Sequence, residues 1–99
     1  MLDNFLSADF LPFIGQPFWV SLESGERYEL TLAAVQDLGD AYTPGGRRPF
    51  SLTFTNPRKD ANLPQATYSL EYVKLGAFEL FLVPLGPDQA GMRYEAVFT

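Results

Sequence analysis

From Pro17 onward the chain alternates apolar and polar residues, the pattern of half-buried strands. Phe18, Val20 and Leu22 alternate with Trp19, Ser21 and Glu23. After the turn dipeptide Ser24-Gly25 the pattern resumes, with Tyr28, Leu30 and Leu32 set against Glu29, Thr31 and Ala33. Two such runs around a turn predict a hairpin. Phe50, Leu52 and Phe54 share one face of the next run. The runs "TYSLEYV" and "AFELFLV" flank Lys74-Leu75-Gly76 and predict a second hairpin. In the last run Met92, Tyr94, Ala96 and Phe98 alternate against Arg93, Glu95 and Val97. Polar or Gly/Pro-rich stretches at 39–49, 56–65 and 86–91 predict loops. The expectation is one all-β domain over 1–99, a small barrel or sandwich of about six mostly antiparallel strands.

Two places depart from this alternation. The N-terminal segment 1–16 reads as a short helix: Ser7 is a candidate cap, Asp9 suits the positive end, and Phe10, Phe13 and Ile14 have helical spacing. Pro12 limits it to about one or two turns, and Gly15 ends it. The second place is "ELFLVPLG", where Leu80, Phe81, Leu82 and Val83 are apolar without a break. Leu80 and Leu82 should join Phe78 in the core, so Phe81 and Val83 need another cover. The N-terminal segment is the expected cover, packed on the sheet with Phe10, Phe13 or Ile14 in contact, and a second chain is the rival. The hairpins also echo one another in "SLE…ELTL" and "SLE…ELFL". Any two amphipathic hairpins look alike, and that is the preferred explanation.

Composition narrows the possible chemistry. Apolar residues make up 46% and aromatic residues 15%, which excludes a disordered chain. The net charge of −5 repels phosphate backbones, so a nucleic-acid partner is not expected. No apolar run approaches the roughly 20 residues of a spanning helix, and the acidic start does not resemble a signal peptide. The expected setting is the cytoplasm or a larger assembly, without membrane insertion. There is no Cys and no His, which removes thiolate chemistry, the commonest general base and the commonest metal ligand.

The remaining candidates are few. Tyr42, Arg47 and Arg48 lie in the Gly39–Pro49 loop, where paired guanidinium groups can hold a carboxylate or phosphate. The bland alternative is a solvated loop with surface charge. No Walker pattern is present. Asp37, Asp40 and Asp60 fail the calcium-loop template. The strand carboxylates Glu29, Glu71 and Glu95 lie in the polar phase, where solvation keeps them ordinary. Without His there is no serine triad, and a Ser–Lys dyad would need Lys59 or Lys74 buried. No catalytic residue, metal or cofactor is expected. Tyr28, Tyr68 and Tyr94 fall in the core phase. Trp19 is on the outward phase, and with Phe81 and Val83 it makes a candidate interaction surface.

The stretches "DFLPFIGQPF" and "RRPFSLTF" and the long tail "LPQATYSLEYVKLGAFELFLVPLGPDQAGMRYEAVF" resemble an uncharacterised bacterial family of domains of about this length. The specific part is "LFLVPLGPDQAGMRYEAVF", Leu80 to Phe98. The resemblance implies no activity and no catalytic residue. It implies companionship with phage-tail-collar-like proteins. The expected function is a non-catalytic structural or protein-interaction module, an accessory of a phage-tail-like assembly with another protein as partner. The alternative is an anion-binding domain built on the 39–49 loop.

Overall fold

Each alternating run becomes a strand: β1 (Pro17–Ser21), β2 (Arg27–Asp37), β3 (Phe50–Asn56), β4 (Ala66–Tyr72), β5 (Gly76–Asp88) and β6 (Gly91–Phe98). The computed structural model describes residues 5–38, 49–57, 63–89 and 91–98. All neighbouring strands are antiparallel, and the sheet closes as a barrel in the order β1-β2-β3-β6-β5-β4. Closure excludes the sandwich. It rests on a short seam, where β1 meets β4 through Trp19↔Glu71, Val20↔Leu70 and Ser21↔Ser69.

The inward phase packs as the alternation requires. Phe18, Val20, Leu30, Leu32, Phe50, Leu52, Phe54, Leu80, Leu82, Tyr94, Ala96 and Phe98 are all buried. The rings of Phe50 and Phe98 stack with centroids 4.5 Å apart, and those of Phe18 and Tyr72 at 4.6 Å. The barrel interior is therefore filled by side chains. Tyr94 is fully buried, whereas Tyr28 and Tyr68 are only partly so.

The third predicted loop is mostly strand. β5 runs on through Pro84 and Pro87 to Asp88, and Asp88 pairs with Gly91 at a tight hairpin. The prolines are tolerated because β4 stops at Ala66↔Leu82, so β5 beyond that point has β6 alone as a neighbour. β5 also slips register between Pro84 and Gly86, and β2 does so between Leu32 and Ala34. These bulges bend the two longest strands around the barrel. The hairpin echo does not hold in register, since Ser21 pairs with Arg27 but Ser69 pairs with Glu79.

Ser7–Phe10 form a single helical turn, α1, followed by a 3-10 turn at Leu11–Phe13. Ser7 is not the cap. Leu6 occupies that position, and the Asp9 carboxylate accepts its backbone N–H at 2.7 Å. Among the described residues, the expectation that Phe10, Phe13 or Ile14 covers Phe81 and Val83 is not met, and Phe81 is half exposed. Phe10 instead enters the open end of the barrel, where it meets Phe50, Phe78 and Phe98 with centroids 5.6–6.2 Å away. Phe13 packs on Tyr72 at 4.8 Å, and Ile14 remains exposed. A barrel end lined by aromatic rings offers more apolar contact than an outer face, and full burial of a Phe contributes about 1.5–3 kcal/mol.

Towards the opposite end the core is closed by Leu63, among the described residues. Leu63 is buried there and its N–H donates to Tyr94 Oη at 2.9 Å. Tyr68 Oη donates to the Pro64 carbonyl. Asn56 Nδ2 donates to the Glu29 carbonyl at 2.6 Å.

Candidate interaction surface

The inward side chains, with Phe10 and Leu63, are buried, and the outer face is where the described strands meet solvent. Trp19 stands on that face at the β1–β4 seam, half-buried, opposite Glu71. Arg27 reaches from β2 across β1. Its guanidinium lies 4.9 Å from the Trp19 ring centroid, and Nη2 donates to Glu71 Oε1 at 3.0 Å. The result is a strap over the seam, with the indole as its base. Beside it is a depression of about 370 Å³ lined by Gln16, Pro17, Trp19, Arg27, Glu71, Tyr72 and Val73. It forms where β1 and β4 diverge beyond their last pair. A similar depression at the other end of the seam is lined by Ser21, Leu22, Glu23 and residues 66–69.

Phe81 and Val83 lie elsewhere. Phe81 pairs with Thr67 on β4, whereas Trp19 pairs with Glu71 four residues further along that strand. Four residues of strand span roughly 13 Å. Trp19, Phe81 and Val83 therefore do not make one patch. Phe81 is 50% exposed and Val83 is partly buried. What the strand order adds is Val97. Val83↔Glu95 is the last pair of the β5–β6 ladder on this side, and Phe81 and Val97 each lie two residues beyond it, on the outward phase of their own strands. Val97 is 53% exposed. Its outward phase was legible, but that its strand lies next to the strand of Phe81 comes from strand order.

Residues 5–98 match a family model described as a domain of unknown function, DUF6916. The chain belongs to the DUF6916 family. No curated protein and no solved structure matches it. The proposed anion-binding residues of this DUF6916 domain, Tyr42, Arg47 and Arg48, lie outside the described residues. The base of their loop is held by Leu38 N–H donating to the Pro49 carbonyl at 2.9 Å.

Among the described residues, no group of three or more Asp or Glu converges as a metal site. No described helix is long and apolar enough to cross a membrane. The Tyr68 phenol is held above its ordinary pKa, chiefly by burial and secondarily by Tyr94. It is therefore a neutral hydrogen-bond donor to Pro64 at ordinary pH. The DUF6916 barrel thus presents two distinct outer features, a charged strap on an indole and exposed apolar side chains on β5 and β6.

Proposed function

We propose that this DUF6916 domain is a non-catalytic protein-interaction module that docks another protein on the outer face of β5 and β6. The observation that carries this is the exposure of two apolar side chains, Phe81 and Val97, on the outward phases of the neighbouring strands β5 and β6. Apolar side chains held on strands offer area for burial at a reduced ordering cost. The filled interior leaves function to the surface. The resemblance to companions of phage-tail-collar-like proteins agrees with an accessory role in a tail-like assembly.

The test is a photo-crosslinking residue at position 81 in cells of the source organism, with position 23 on the β1–β2 turn as control. The reading expects a discrete crosslinked protein at 81 that disappears with Val97→Lys. Equal crosslinking at both positions, or persistence in the Val97→Lys background, defeats it.

A further inference from the structure

β2 and β5 are the two long, bulged strands, and each outlasts one of its neighbours. β5 beyond Leu82 loses β4 and pairs with β6 alone. Pro84 and Pro87 stand on that stretch and remove two of its N–H donors, a common protection of a sheet edge. β2 loses β1 in the same way. Its last bonds on that side are Gly15 N–H to the Leu32 carbonyl at 2.7 Å and Leu32 N–H to the Gln16 carbonyl at 3.1 Å. Ala34 to Asp37 then pair with β3 alone. No proline protects this edge.

The direction of the free groups follows from the ladder. Leu38 N–H donates to Pro49 across the β2–β3 pair. Antiparallel bonds alternate, so Ala34 and Gln36 also direct their backbone groups to β3. Val35 and Asp37 then direct theirs away from it. Among the described residues the free edge is two residues wide, with an N–H and a C=O on each. Leu38 follows Asp37 directly, and Ile14 precedes Gly15, which bonds Leu32; both are exposed apolar side chains, as is Leu11 in the same N-terminal turn. Ala33 and Ala34 are exposed but small, and leave the backbone open to approach.

We propose that this edge pairs with the same edge of a second copy, antiparallel and centred on Gln36. In that register Val35 faces Asp37 of the other copy and Asp37 faces its Val35. All the free groups are then satisfied, and no aspartate faces another. A register centred on Val35 satisfies half as many. Self-complementarity of this kind is what a two-fold interface requires, and the exposed Leu38, next in the chain, supplies apolar surface beside it. The net charge of −5 per chain opposes association, so the dimer tightens as salt rises.

Sedimentation velocity of the intact chain from about 1 µM to about 1 mM covers weak association. The mass is expected to rise from 11.1 kDa toward twice that value, more steeply at high salt. Gln36→Glu and Gln36→Lys each place like charges face to face at the centre and should weaken association at least tenfold, on the order of 1.4 kcal/mol. An equimolar mixture of the two should restore it. Asp37→Pro removes one edge donor at an exposed position and should also weaken it, with an unchanged circular dichroism spectrum showing that the fold survives. A chain that stays monomeric throughout overturns the proposal. So does a dimer indifferent to all three variants, or one abolished by Phe81→Glu in their place.

Discussion

Gly91 lies so close against Asn56 that a side chain on the glycine would overlap the asparagine's carbonyl oxygen. The same added carbon would sit 2.7 Å from Pro57 Cα, and the backbone at Gly91 has φ +137. Both neighbours are backbone and cannot rotate aside. Gly91→Ala should therefore cost more than about 2 kcal/mol, far above an ordinary surface change. Urea denaturation monitored by Trp19 fluorescence measures it. A midpoint within error of wild type would contradict the packing.

The plug at the barrel end and the exposed ring on its side should respond to truncation with very different losses of stability. Phe10→Ala empties a fully buried site among Phe50, Phe78 and Phe98 and should cost about 3–5 kcal/mol. Phe81→Ala removes a half-exposed ring and should cost less than about 1 kcal/mol. Equal losses in thermal or urea unfolding would mean that Phe81 is covered in solution.

The strap of Arg27 and Glu71 over Trp19 should matter little to stability. Its partners are 53% and 57% exposed, so a double-mutant cycle should give a coupling of about 0.2–1 kcal/mol that fades with salt. Its effect on the indole should be plainer. Trp19 is the sole tryptophan, and Arg27→Ala removes the group lying over its ring. The emission maximum should move to longer wavelength while unfolding is little changed. An unshifted spectrum would argue against the stacked geometry.

Tyr68 links stability to alkaline pH. Its folded-state pKa lies above the ordinary value of 10.0, so the folded chain holds this proton more tightly than the unfolded one. The associated stability is fully present below pH 10 and is lost as pH rises from there through the raised value. Tyr68→Phe should flatten that part of the stability profile. It also removes the bond to Pro64, so the variant should start lower at neutral pH. A profile with the same alkaline slope in both proteins would assign the loss to other groups.

The strands and their buried faces were legible because side-chain alternation is a local property of extended backbone. Phe18, Val20, Leu30, Leu32, Leu80 and Leu82 point inward in the barrel as their phase requires. Local reading also singled out Phe81 as a residue needing a cover, and the N-terminal segment as an apolar segment needing a place. It could not match segment to place. An outer strand face and an open barrel end both accept a phenylalanine, and the choice depended on rings from β3, β5 and β6 meeting at one rim. Closure through β1 and β4, and the ion pair between Arg27 and Glu71 that spans the seam, join residues far apart in the chain. Such contacts leave no periodic trace. The free stretch of β2 is of the same kind, since an edge exists only relative to the neighbours that a strand has outrun.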